Sequence, residues 1–178
     1  LFQAGALLNS MSIQDNVALP IIERTGLPRP LVDEMVRMKL AMVGLGGMGR
    51  LMPSELSGGM KKRAALARAI ATDPAVLFCD EPGAGLDPIT AAALDDLLLG
   101  LRDRFGMSLV VVTHELDSIR RIADRITMLD QGKVIASGTL AEVQAAGHPM
   151  VAAFFGRHRQ ADTAGADLLS ALTQGGTP

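Results

Sequence analysis

Two short apolar runs constrain this chain more than any other feature. Residues 75–79 read Ala-Val-Leu-Phe-Cys and lead into Asp80-Glu81-Pro82, and residues 108–112 read Ser-Leu-Val-Val-Val and lead into Thr113-His114. Each has the length of a strand and is bounded by turn or polar residues. Between them Asp87-Pro88 opens a helix, with Pro at its first position, that continues through LDDLLLGLRDRF. A strand, a helix and a second, Val-rich strand predict an α/β layer with parallel strands. Ligands of such sheets gather at the carboxyl ends of the strands. This sequence places two adjacent carboxylates there, Asp80 and Glu81, and a histidine, His114. Carboxylates at the end of a buried strand are costly without a task. The plainer alternative is an Asp that caps the next loop. A lone His is more often structural, but neighbouring parallel strands would bring His114 near Glu81.

The rest of the chain reads as helices and a tail. Ser12 with Asp15 three places on is a helix start, followed by Ile13, Val17 and Ile21 at helical spacing. Pro28 and Pro30 interrupt. Leu31, Met35, Met38 and Met42 then predict one apolar face of a second helix, ended by Gly44 to Gly49. Ser57 can cap a helix with its body over 61–71, stopped by Asp73-Pro74. Ser57-Gly58-Gly59 at that helix start leaves backbone N–H groups uncovered, which suits an anion such as a phosphate. A Gly-containing cap is the plainer reading. Lys61, Lys62 and Arg63 read as a solvated helix face, and Cys79 as a small core residue. After His114 come a helix over 115–124, a strand over 126–130, a Gln131-Gly132 turn, a strand over 133–137 and a capping box at Thr139 and Glu142. Residues 157–178 are rich in Gly, Ala and Thr and read as a mobile tail, with room for a short helix over 165–172.

Composition excludes several classes. With 17 basic and 19 acidic side chains the net charge is -2, which argues against a domain devoted to nucleic-acid backbones. A single Cys excludes a disulfide framework and a Cys-rich zinc site. The chain has no Trp and no Tyr, so its core must come from aliphatics and ten Met. No apolar run is long enough to span a membrane. No leader-like segment opens the chain, so a cytoplasmic protein is expected.

Four features in this order resemble the ATP-binding cassette (ABC) ATPase family over about residues 1–156: Gln3, Leu56-Ser57-Gly58-Gly59-Met60, Asp80-Glu81 and His114. The resemblance implies a partial P-loop NTPase fold, with a parallel-strand core and an α-helical signature subdomain. It implies a Q-loop segment at 1–8, a helical subdomain at 9–72 and an α/β core at 73–156. It makes Gln3 the Q-loop glutamine, a Mg²⁺ and water ligand. Residues 56–60 match the signature, which meets ATP held by a second copy of the ATPase. Asp80 matches the Mg²⁺-binding aspartate and Glu81 the catalytic glutamate. Gly85-Leu86-Asp87 match the D-loop and His114 the switch histidine. Met60 stands where Gln is usual, and Ala84 where Ser is usual. LFQAGALLNSMSIQDNVALP, SELSGGM and DEPGAGLDPIT look like the ATPases of Mla-type phospholipid transporters, also described as toluene-tolerance or organic-solvent-resistance transporters. That implies ATP and Mg²⁺ as cofactors. It implies a homodimer working with integral-membrane permease subunits and accessory Mla-type subunits, at the cytoplasmic face of the inner membrane. Alternatives are an ATPase of another importer or exporter class, or a non-transport ABC ATPase acting on nucleic acid. The near-neutral charge and the lack of a coiled-coil insertion or zinc module speak against the last.

One part of the family pattern is missing. No Gly-x-x-x-x-Gly-Lys-Ser/Thr occurs, and the only Gly-Lys pair, Gly132-Lys133, reads as a hairpin turn. The expectation is a fragment that begins at the Gln3 loop, inactive alone, with an exposed sheet edge or apolar face. Gly44-Leu45-Gly46-Gly47-Met48-Gly49 matches a dinucleotide fingerprint in letters only, because a helix precedes it where a strand is required. The Met stripe is expected to pack inward, with some of it available to a partner. Nothing is assigned to His148 or His158.

Overall fold

The architecture, a computed structural model, describes residues 1–3 and 5–156. The expected tail at 157–178 and its short helix lie outside the described residues. The chain divides into two compact units, Leu1–Ser118 and Ile119–Pro178.

In the first unit, helix α1 (Ile13–Arg24) begins at Ser12, whose hydroxyl accepts from the Asp15 amide. Ile13, Val17, Ala18 and Ile21 are buried, as their spacing predicts. Helix α2 (Arg29–Met42) starts with Pro30 in its first turn. Its buried face differs from the expected one. Val32, Val36, Lys39 and Leu40 face inward, whereas Leu31 and Met38 are exposed and Met35 and Met42 are half-buried. The Met stripe precedes the Val stripe by one residue, so it is rotated by about 100° around the helix. Lys39 hides this in the sequence, because a charge interrupts the true apolar row. Its ammonium is tied to Asp73 and lies 5.1 Å from the centre of the Phe105 ring.

Helix α3 (Gly58–Ala69) is capped by Ser57 and buries Lys62 and Ala64 to Ala67. It packs on α1, α2 and α4 (Pro88–Phe105). Asp87 caps α4, and Gly106 closes it in the left-handed conformation. Strands β1 (Val76–Asp80) and β2 (Ser108–Val112) pair in parallel, Val76 opposite Ser108 and Asp80 opposite Val112. Leu1 adds a rung on the other edge of β1: its N donates to Phe78 O at 2.6 Å and its O accepts from Asp80 N at 2.9 Å. One face of the ladder is covered, with Leu77 and Cys79 buried. The other carries exposed Val76, Phe78, Val110 and Val112. The expectation of a buried strand is therefore met on one face of β1 only. An open apolar face, also expected, is present. One apolar core runs from Ile13 to Met107, so the helices and β1 share it.

The loop before α1 is held by Asn16, which is fully buried. Its amide nitrogen donates to Leu8 O, Met11 O and Ser12 O, and its oxygen accepts from Leu8 N. Arg68 from α3 binds the same loop at Gly5 O and Ala6 O.

Helix α5 (Leu116–Ile122) follows β2. In the second unit, β3 (Ile126–Asp130) and β4 (Lys133–Gly138) form an antiparallel hairpin. Gln131 and Gly132 both have positive φ at its turn. The parallel layer is thus confined to β1 and β2. Helix α6 (Leu140–Gln144) is capped by the reciprocal Thr139–Glu142 pair and packs on β3 and β4. A helical stretch covers 149–156. Among the described residues no helix is long and apolar enough to cross a membrane.

Candidate active site

Strands β1 and β2 end level with one another, and the parallel register sets their next residues side by side. Glu81 N donates to Val112 O at 2.8 Å. Glu81 Oε1 meets His114 Nδ1 at 2.6 Å, and Oε2 accepts from Thr113 Oγ1 at 3.3 Å. The Glu81 side chain is 17% exposed, the His114 ring 74%. The carboxylate is therefore shielded while the imidazole faces solvent. The Glu81 hydrogen bond first, then its charge, raises the His114 pKa above the ordinary 6.5.

Glu81 holds an uncommon backbone, with φ of +44°. A non-Gly residue there is strained and persists only when its surroundings over-determine it. Its amide, carbonyl and both carboxylate oxygens are all engaged. The carbonyl accepts from Lys62 Nζ at 3.2 Å, and the same ammonium donates to Gln3 O at 2.6 Å. Gln3 itself is exposed, and its backbone thus reaches the Glu81 end of β1.

Asp80 is exposed at the end of β1, and its carboxylate has no hydrogen bond or ion pair among the described residues. A free carboxylate at a strand end fits Mg²⁺, which takes one or two carboxylates and fills its remaining positions with water and phosphate oxygens. Among the described residues no cluster of three or more metal-ligating side chains exists, so the protein alone offers no closed cage.

The signature segment lies at the start of α3. Ser57 Oγ accepts from Met60 N at 3.3 Å, and Ser57 and Gly58 are exposed. A Cβ on Gly59 would stand 2.8 Å from Thr90 Cγ2 in the first turn of α4. No hydrogen bond joins Ser57–Met60 to Asp80, Glu81 or His114 among the described residues. Asp87 is spent locally: Oδ1 accepts from Thr90 N at 3.0 Å and Oδ2 from Thr90 Oγ1 at 2.5 Å. These bonds hold its carboxylate below the usual range.

Comparison with known proteins bears on the family. A family profile described as ABC transporter matches residues 1–84. The intermembrane phospholipid transport system ATP-binding protein MlaF of Escherichia coli (strain K12) is 48% identical over 154 residues, covering 86% of this chain and 57% of that protein. Residues 1–84 thus carry the ABC transporter domain, and the similarity to an ATP-binding transport protein extends over 86% of this chain. The Haemophilus influenzae protein of the same name is 49% identical over 139 residues, 78% of this chain and 53% of that one. Among solved structures, the dimeric post-hydrolysis state of the ATP-binding cassette MJ0796 bound to ADP and Pi is similar with a TM-score of 0.69 and 31% identity. That match covers 78% of this chain and 62% of the other. The chain thus spans little more than half the length of the curated relatives it matches.

The profile match contains Gln3, Ser57, Gly58, Gly59, Met60, Asp80 and Glu81, and ends before Asp87 and His114. The structure brings Gln3, Asp80, Glu81 and His114 to one edge and leaves the signature segment outside that group. Lys62 was missed by sequence reasoning. Expected on a solvated face, it is only 8% exposed and lies against the Glu81 end of β1. A signal existed: Lys62 is four residues before Leu66 and shares its buried stripe. Arg63, placed on the same solvated face, instead donates to Val43 O at 3.3 Å. Cys79 is core as expected, and burial pushes its thiol up to about 11.

Proposed function

We propose that this chain is the ATP-binding and ATP-hydrolysing part of an ABC transporter that moves phospholipid at the inner membrane. The observation that carries the reading is the Glu81–His114 pair beside Asp80, on the level ends of two parallel strands. The identity to phospholipid transport ATP-binding proteins supports the substrate class.

In this reading Glu81 is the general base. Its Oε1 is already paired with an imidazole, so it can accept a proton from water while His114 keeps the carboxylate aimed. His114, exposed and with its basicity raised, presents positive charge to the terminal phosphate as charge develops. Asp80 and Gln3 would hold Mg²⁺, which when bound neutralises phosphate oxygens. Ser57, Gly58, Gly59 and Met60 offer a helix start to ATP on a second copy of the chain, and Asp87 lies on that side as well. That no hydrogen bond joins these residues to Asp80, Glu81 or His114 among the described residues is consistent with an assembly of two copies. Residues 9–72 form the helical part and 73–156 the α/β part. The partners are integral-membrane permease subunits and accessory Mla-type subunits, with the ATPase peripheral on the cytoplasmic face. Nucleic acid is not a partner. A phosphate-cradling Gly-Lys-Ser/Thr loop is not among these 178 residues, so the chain as it stands is expected to show no turnover.

The test is reconstitution of the full-length ATPase with its permease in phospholipid vesicles. ATP-dependent movement of a fluorescent phospholipid supports the reading. ATP hydrolysis that moves another solute and no phospholipid contradicts it.

A further inference from the structure

Lys62 is a buried cation that meets no carboxylate in a hydrogen bond or ion pair among the described residues. Both of its bonds go to backbone carbonyls, Gln3 O at 2.6 Å and Glu81 O at 3.2 Å. A buried ammonium is costly, and burial lowers the pKa of Lys62 against the raising effect of Glu115 and Glu81. An uncharged side chain of the same length would fill the space without that cost. The bonds must therefore serve something besides packing.

The place of the two carbonyls shows what. Glu81 is strained at φ of +44°, and its carbonyl oxygen reports the orientation of the peptide that follows its side chain. The Glu81 amide is fixed by Val112 and its carboxylate by Thr113 and His114, from the β2 strand and the loop after it, and its carbonyl also accepts from Ala84 N at 3.2 Å in its own turn. Lys62 supplies the only bond to Glu81 from the signature helix α3, five residues after the capping Ser57. The same ammonium grips the Gln3 loop. A movement of α3 or of that loop thus has a direct route to the peptide of Glu81.

We propose that Lys62 is a positioning residue: it couples the signature helix and the Gln3 loop to the backbone of Glu81, and so sets the aim of the carboxylate. The role in turnover rests on the ATPase reading above, whereas the mechanical link does not. Lys62→Met keeps the stem and removes the donor. Lys62→Arg restores a charged donor to the carbonyls. Lys61→Met, exposed on the next position, is the control.

Two measurements separate the link from the reading. In the 178-residue chain, His114 is titrated by NMR. Its raised pKa depends first on the Glu81 carboxylate and last on Glu115. Lys62→Met should lower the His114 midpoint toward 6.5, against the rise that loss of a nearby positive charge would give by itself, with Lys62→Arg and Lys61→Met close to the wild type. An unmoved or raised midpoint in folded Lys62→Met overturns the proposal. If Lys62→Met does not fold, Lys62→Gln, a shorter neutral donor, is read in the same way. In the full-length ATPase, Lys62→Met should lower kcat at least about tenfold with KM for ATP little changed, and Lys62→Arg should recover part of it. Loss through KM alone overturns the positioning role. Absence of ATP turnover in the wild type overturns the ATPase reading and leaves the NMR result to judge the link.

Discussion

Gly59 and Gly58 stand side by side in the signature segment, yet the structure separates their roles. Alanine at Gly59 would place its Cβ 2.8 Å from Thr90 Cγ2, against 3.4 Å at the near edge of ordinary contact. Thr90 cannot swing away. Its side chain is β-branched and stiff at χ1, and its hydroxyl is bound to Asp87 Oδ2 at 2.5 Å. Either α3 or α4 must shift. Overpacking of this kind costs about 1–3 kcal/mol, and the helix gains back about 0.5 kcal/mol when Ala replaces Gly. The net is a loss of about 0.5–2.5 kcal/mol, or a Tm lower by about 1–10 °C for a chain of this size. Alanine at Gly58 would lie 3.7 Å from Leu86 Cδ2, an ordinary contact, and should change stability by less than about 0.5 kcal/mol. The assay is thermal and urea denaturation of Gly58→Ala, Gly59→Ala, Thr90→Ser and the double variant Gly59→Ala/Thr90→Ser. Serine keeps the bond to Asp87 and removes the methyl, so the double variant should recover most of the loss. The reasoning fails if Gly59→Ala is as stable as Gly58→Ala, or if its cost is the same in the Thr90→Ser background.

Two other perturbations read different parts of the fold. Asn16→Leu keeps the buried volume but leaves the Leu8 N–H and the Met11 carbonyl without the partner that Asn16 supplies. It should destabilise by about 2–4 kcal/mol in urea titration, and a loss below about 1 kcal/mol would show that water replaces the side chain. The His114 pKa is raised in the folded state, so its contribution to stability is fully present below pH 6.5 and is lost as pH rises through the raised value. With the ring largely exposed the change is well under about 1 kcal/mol. Urea midpoints measured across that window should fall for the wild type and stay flat for His114→Ala.

Short-range physics was legible in the sequence. Ser12, Ser57, Asp87 and Thr139 each accept from the amide three residues on, because a cap depends only on local geometry. The parallel pairing of β1 and β2 followed from two apolar runs and the helix between them, and with it the meeting of Glu81 and His114. Long cations were not legible. Lys62, Arg63 and Arg68 reach backbone carbonyls whose need for a donor arises only once the loops are in place. The face of α2 was misread for a related reason. Met35, Met38 and Met42 look more apolar than a row containing Lys39, yet Lys39 is the buried one, satisfied by Asp73 and Phe105. Asn16 gave no signal at all, since most of its partners are main-chain groups of a loop whose needs arise only once the loop is in place.

We propose that the edge formed by Asp80, Glu81 and His114 hydrolyses ATP. Steady-state turnover and ATP binding of the full-length ATPase, wild type against Glu81→Gln, test it most directly. The substitution keeps the size of the side chain and removes its ability to take a proton. The account predicts turnover lower by about 10²-fold or more with ATP affinity retained. Hydrolysis by Glu81→Gln at the wild-type rate would contradict it.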